Sequence, residues 1–128
     1  MAVVLLVEDE EQVRVLAQSY LEEQGHKVLS AGTPRGAIAL LEKTLDVDVL
    51  FTDIDLIGDI AAGIDLARKV VERWPEMKVL YATERSLTDG MKARFVKKSA
   101  FLPKPYTVEQ LLTTLLVHFK IGPQPRKS

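Results

Sequence analysis

The sequence predicts a three-layer α/β domain, with helices covering both faces of a five-stranded parallel sheet. Three observations predict it. Short runs rich in β-branched residues alternate along the chain with segments of helical spacing. Three of those runs, Val3–Val7, residues 47–51 and residues 79–82, are apolar almost throughout, as strands buried on both faces must be. The composition is that of one globular domain: 128 residues, 47% hydrophobic and 27% charged.

The first strand, Val3–Val7, precedes a helix whose apolar face is Val13, Leu16, Ala17, Tyr20 and Leu21. A second strand is expected at residues 28–30. The pair Thr33-Pro34, a helix-start signal, then opens a shorter stripe of Ile38, Leu41 and Leu45. The third strand spans residues 47–52 and leads into a helix with the stripe Ile60, Ile64, Ala67, Val71 and Trp74. Residues 78–82 form the fourth strand. The segment 86–99 is the poorest helix, because it contains Gly90 and offers only Leu87, Met91 and Phe95 as an apolar face. Residues 100–102 form the fifth strand, and Val108, Leu111, Leu112, Leu115, Leu116 and Phe119 line the last helix. Parallel strands need right-handed crossovers, so five such units give a flavodoxin-like (βα)5 sandwich with strand order 2-1-3-4-5. Residues 1–121 are expected to form this domain. Residues 122–128, with two prolines and no apolar side chain, read as a frayed tail.

Composition narrows function. The chain has no cysteine, which removes disulfides, zinc-thiolate sites and thiol nucleophiles. Seventeen basic residues against eighteen acidic ones give a net charge of −1, so no overall field recruits nucleic acid or anionic lipid. The first apolar run ends in four acids, Glu8 to Glu11, which fits neither a signal peptide nor a membrane span, and a cytoplasmic location is expected. The glycines form neither GxGxxG nor GxxxxGK[ST], so nucleotide binding has no support. His26 and His118 are read as structural, and Lys92, Arg94, Lys97 and Lys98 as a solvated face.

Chemistry belongs at the carboxyl ends of the strands, where strand order reverses. Strand 1 ends in Glu8 and Asp9, strand 3 in Asp53 with Asp55 close by, strand 4 in Thr83, and strand 5 in Lys104. Carboxylates crowded into one crevice repel by roughly 4 kcal/mol per pair at about 4 Å and an effective dielectric near 20. A cation or a proton must relieve that. An all-oxygen donor set with open positions suits Mg2+. Lys104 and the Thr83 hydroxyl are then placed to hold phosphoryl oxygens, with Asp53 as a nucleophile forming an acyl phosphate.

These residues make the chain similar to the response-regulator receiver domains of two-component signalling, from Val3 to about Phe119. The resemblance rests on Glu8-Asp9 after the first strand, Asp53 after the third, Thr83 after the fourth and Lys104-Pro105 after the fifth. It implies that Asp53 accepts a phosphoryl group from a sensor histidine kinase or a histidine phosphotransfer protein. It also implies that Glu8, Asp9, Asp53 and the backbone carbonyl of Asp55 hold Mg2+, Glu8 through water. Thr83 and Lys104 would bind the phosphoryl group, Lys104-Pro105 would be a cis peptide, and Phe101 would take the family's rotating aromatic position without a tyrosine hydroxyl. The implied protein is a stand-alone switch or shuttle acting through an output partner, and no enzyme beyond slow autodephosphorylation. A phosphorylation-linked dimer through helix 4, strand 5 and helix 5 belongs to the same expectation.

The sequence departs from the family pattern in one loop. Leu56-Ile57 stand where a Met-Pro pair is usual, and the matching glycine is Gly63, which makes the loop about two residues longer. Arg85, two residues after Thr83, is expected to face Asp55, the pair gating water and setting the phosphoryl lifetime. An alternative reading takes Asp53-Ile54-Asp55 as the DxD motif of haloacid-dehalogenase-like phosphatases. In that family, however, the motif lies on the first strand of the chain.

Overall fold

The computed structural model describes residues 2–44 and 46–123. Five strands, β1 (Val3–Val7), β2 (Lys27–Ala31), β3 (Val49–Asp53), β4 (Lys78–Thr83) and β5 (Ser99–Pro103), alternate with five helices. These are α1 (Glu11–Glu23), α2 (Pro34–Lys43), α3 (Ala62–Arg73), α4 (Asp89–Lys92) and α5 (Val108–Phe119). All pairings are parallel and the order is β2-β1-β3-β4-β5, as expected. Register Leu6↔Phe51 and Phe51↔Leu80 aligns the strand ends, so Val7, Asp53 and Thr83 finish near one edge of the sheet.

Period-two alternation sends each strand's side chains into two cores. Leu5, Val7, Leu50, Val79 and Tyr81 pack with Ala37 and Leu41 of α2 and Ile64, Ala67 and Val70 of α3. Val4, Leu6, Val49, Phe51, Leu80 and Leu102 face Ala17 and Leu21 of α1 and Leu111, Leu115 and Phe119 of α5. Local signals set the helix ends. Thr33 caps α2 by accepting the Gly36 N–H, with Pro34 in the first turn. Thr107 and Gln110 form a reciprocal capping box on α5. Lys120, in left-handed conformation at φ 58°, closes that helix.

Several expectations need correction. Leu16 and Leu116 were expected in apolar stripes but are 51% and 53% exposed. Ile60 precedes α3 and is 56% exposed, because the chain there is still in the loop. Leu45, assigned to the α2 stripe, and 124–128 of the expected tail lie outside the described residues. The segment 86–99 forms only a single helical turn, α4, capped by Thr88. Tyr81 competes for the remainder. Phe95 stacks on its ring with centroids 4.2 Å apart, and Val96 donates its N–H to the phenol oxygen. These contacts hold the chain against the sheet in place of further turns.

The β3–α3 loop closes on itself. Gly63 donates its N–H to the Ile54 carbonyl at 2.8 Å, so the chain returns to the point where it left the strand. Between them, Leu56 and Asp59 exchange two backbone hydrogen bonds around Ile57-Gly58, both at positive φ. This is a two-residue hairpin.

Candidate functional site

The carboxyl ends of β1, β3, β4 and β5 enclose a crevice of about 190 Å³, lined by Asp9, Glu10, Asp53, Asp55, Thr83 and Lys104 among others. Asp53 is the last residue of β3 and Thr83 the last of β4, while Glu8 and Lys104 follow β1 and β5 directly. Glu8, Asp53 and Thr83 are buried, and Asp9 is exposed. Lys104 Nζ lies between the two buried acids, 2.7 Å from Glu8 Oε1 and 3.0 and 3.2 Å from the Asp53 oxygens. Its side chain is only 11% exposed. The Lys104-Pro105 peptide is cis, as the resemblance implies. The four residues that sequence reasoning weighted most, Asp9, Asp53, Thr83 and Lys104, all line the crevice.

One cation does not satisfy two buried carboxylates and an adjacent third. Burial is the largest influence on Asp53, and with the neighbouring Glu8 it pushes the carboxyl up to about 8 against the pull of Lys104. Glu8 moves the other way. Burial alone would raise it, but hydrogen bonds from Asp53, Lys104 and the Glu10 N–H outweigh burial and hold it below the ordinary carboxylate range. Burial opposes the charge on Lys104, yet both acids together hold it above its usual range. With nothing else to neutralise the cluster, Asp53 thus holds a proton more tightly than an ordinary carboxyl does.

Ligand oxygens of Glu8, Asp9 and Asp53 lie within 4.8 Å of one another, a spacing and chemistry that could bind Mg2+. The cap of α1 is Glu10, with no side-chain capping bond, and Asp9 Oδ2 accepts the Ile57 N–H at 2.9 Å. One Asp9 oxygen therefore braces the hairpin. Asp55 and Arg85 do meet, with Arg85 Nε 3.1 Å from Asp55 Oδ2. Asp55 Oδ1 is buried without a hydrogen-bond partner. Phe101 is half-buried on β5, paired in register with Tyr81 and packed against the α2–α3 side of the core.

Three contributors escaped sequence reasoning. Arg14 donates to the Glu8 carbonyl at 2.8 Å and fixes the turn that carries both acids. Tyr106 packs its ring on Phe51 with centroids 5.9 Å apart, walling the Lys104 side, and burial above all pushes its phenol up to about 12. Ile57 acts through its backbone alone. Arg14 and Tyr106 look like ordinary helix and loop residues in sequence, and only the return of the chain brings them to the site. His26 and His118 take no part in the crevice; His26 is buried ahead of β2 and His118 exposed on α5. Of the basic cluster, Arg94 and Lys98 form surface ion pairs with Asp65 and Glu76. No described helix is long and apolar enough to cross a membrane.

The chain is similar to known proteins in sequence and in fold. The sensor kinase CckA of Brucella abortus is 30% identical over 118 residues, 89% of this chain and 12% of that protein. The response regulator SaeR of Staphylococcus aureus is 25% identical over 109 residues, 84% of this chain. The chain spans less than half the length of these relatives, 46% in the case of SaeR. Among solved structures, the chemotaxis protein CheY4 of Vibrio cholerae superposes with a TM-score of 0.80 at 26% identity, covering 92% of this chain and 98% of that one. The beryllofluoride-activated NtrC4 receiver domain matches with a TM-score of 0.80 at 28% identity, over 94% of this chain and 98% of its own. The family described as the response regulator receiver domain matches residues 4–116. That match displaces the phosphatase reading of Asp53-Ile54-Asp55, and the chain belongs to the receiver domains of two-component signalling.

Proposed function

We propose that this receiver takes a phosphoryl group from a phosphohistidine onto Asp53 and signals the change through a partner protein. The observation that carries the reading is Lys104 Nζ within hydrogen-bond distance of both Asp53 oxygens at the floor of an acidic crevice. An Asp53 oxygen bonds to phosphorus, and the phosphorus–nitrogen bond to the donor imidazole breaks with its electron pair left on nitrogen. Lys104 and the Thr83 hydroxyl then hold phosphoryl oxygens, and Lys104 offsets the dianion's charge.

The residues fit a hard cation: Glu8, Asp9, Asp53 and the Asp55 carbonyl would hold Mg2+. When bound, it would neutralise the acidic cluster and oppose charge on the phosphoryl oxygens. The raised Asp53 carboxyl supports this reading, since an acid that keeps its proton near neutral pH is a poor nucleophile until a cation takes the proton's place. The donor is a sensor histidine kinase or a histidine phosphotransfer protein. It would approach across an apolar groove lined by Val13, Leu16, Tyr20, Pro105 and Tyr106, which shares Lys104 and Glu84 with the crevice. Output would run through Thr83 and Phe101 to the α4, β5 and α5 surface, which a phosphorylation-linked dimer or another protein would read. The receiver unit is residues 1–121, and its location the cytoplasm.

Incubation with acetyl phosphate and Mg2+, followed by intact-mass measurement, tests the reading. Wild type should gain one phosphoryl group and Asp53→Asn none. Labelling of the Asn variant, or steady turnover of phosphomonoesters, would overturn it.

A further inference from the structure

Of the three acids whose ligand oxygens converge, Asp9 alone is exposed. Glu8 and Asp53 are buried and both bound by Lys104 Nζ, which fixes their oxygens. Asp9 lacks that anchor. Among the described residues its carboxylate accepts a single hydrogen bond, at Oδ2 from the Ile57 N–H, 48 positions further along the chain. The donor comes from a strained conformation. Ile57 and Gly58 form the turn of the hairpin at φ 53° and 75°, a region that β-branched side chains avoid. Leu56 and Asp59 close the turn with backbone bonds of 3.1 and 3.0 Å. Leu56 is buried and seats the hairpin on the core, whereas Ile57 is 62% exposed. The strain at residue 57 is therefore not compensated by burial of its side chain. It aims the Ile57 N–H at Asp9, and strain of this kind is where function is to be sought.

We propose that the Ile57 N–H is a positioning group for Mg2+, holding the Asp9 carboxylate toward Glu8 and Asp53, and that the bound ion in turn holds the hairpin. This deepens, and rests on, the reading of Glu8, Asp9 and Asp53 as metal ligands. An exposed aspartate on a turn samples several rotamers, and binding has to freeze one of them. The hydrogen bond does so before the ion arrives. It leaves Oδ1 available and keeps the full negative charge that attracts a cation, as an ion pair with a lysine would not. Coupling through one carboxylate is reciprocal. Whatever factor the hairpin adds to Mg2+ affinity, Mg2+ adds to the stability of the Ile57–Asp9 bond. Occupancy of the crevice thereby reaches an exposed element that carries Ile57 and Ile60.

The test titrates Mg2+ into metal-free protein, with amide resonances reporting affinity and hydrogen exchange at the Ile57 amide reporting the bond itself. Saturating Mg2+ should slow that exchange about tenfold, the effect of one hydrogen bond to a charged acceptor. Gly58→Val forces the turn out of its left-handed conformation without a clash, because no atom beyond its chain neighbours lies within 4 Å of a Cβ there. It should weaken Mg2+ binding by the same factor. Gly58→Asn, of similar bulk but suited to positive φ, should recover most of the loss. In an Asp9→Ala background, Gly58→Val should lower Mg2+ affinity no further, a result that a merely structural loop would not give. Exchange at Ile57 that is unchanged or faster with Mg2+ would overturn the coupling and leave the metal reading intact. Parental affinity in Gly58→Val, or an additive loss in the double variant, would do the same. Wild type that binds no Mg2+ would remove the metal reading itself, and the coupling with it.

Discussion

Replacing Gly63 with alanine tests how the fold holds Asp53. Gly63 lies in the first turn of α3, and its N–H bonds to the Ile54 carbonyl. A Cβ there would lie 1.8 Å from the Asp53 carbonyl oxygen, 2.7 Å from its carbon and 2.9 Å from Ile54 Cα. All three are backbone atoms, which cannot rotate aside, and ordinary contact begins at 3.4 Å. Helix and strand would have to part by more than an ångström. Overpacking of this kind costs about 3 kcal/mol. In a domain of this size that lowers the melting temperature by about 10 °C. The strand end that moves carries Asp53, so Mg2+-dependent labelling by acetyl phosphate should fall by about 100-fold, the usual consequence of ångström-scale misplacement. Gly90→Ala is the control. Its Cβ would meet only Thr88 Oγ1 at 3.9 Å, so it should label normally and melt at or above the parent temperature. A Gly63→Ala protein that melts and labels like the parent would refute the claim that main-chain contact positions the acid.

Three further outcomes are expected. In metal-free protein the native state keeps a proton on Asp53 that the unfolded chain has lost between pH 3.8 and about 8. Stability should therefore fall as pH rises through that window, by at most about 1.4 kcal/mol per pH unit. Urea titrations should find this slope absent in Asp53→Asn, and Mg2+ should stabilise wild type more at pH 8 than at pH 6. Lys104→Met takes the amine from between Glu8 and Asp53, which should cost about 3 kcal/mol at pH 8 and lower labelling by about 100-fold; wild-type melting would refute this. Ile57→Asn should raise stability by about 1 kcal/mol, because a β-branched side chain at φ 53° is strained there. The lost side chain is 62% exposed, so little packing goes with it, and a lower melting temperature would contradict this.

The sheet was legible because its strands are buried on both faces and therefore read as continuous apolar runs. The crevice was legible because strand-end residues inherit their position from the strands. Helix faces were less so: Leu16 and Leu116 continue their stripes in sequence yet face outward, since periodicity does not mark where the buried arc stops. The single turn of α4 depends on Tyr81 and Phe95 meeting across the fold, which neither local segment encodes. Asp55 and Arg85 were paired correctly from their places after adjacent strands, whereas Arg14 and Tyr106 carry no such positional marker.

The closed circuit from Ile54 to Gly63 separates two kinds of inheritance. Because the chain leaves and re-enters at one hydrogen bond, residues added inside the circuit reshape the outer silhouette without transmitting length to the strand or helix. The rim can therefore lengthen by insertion while the end of β3 beneath it, with Asp53, stays fixed.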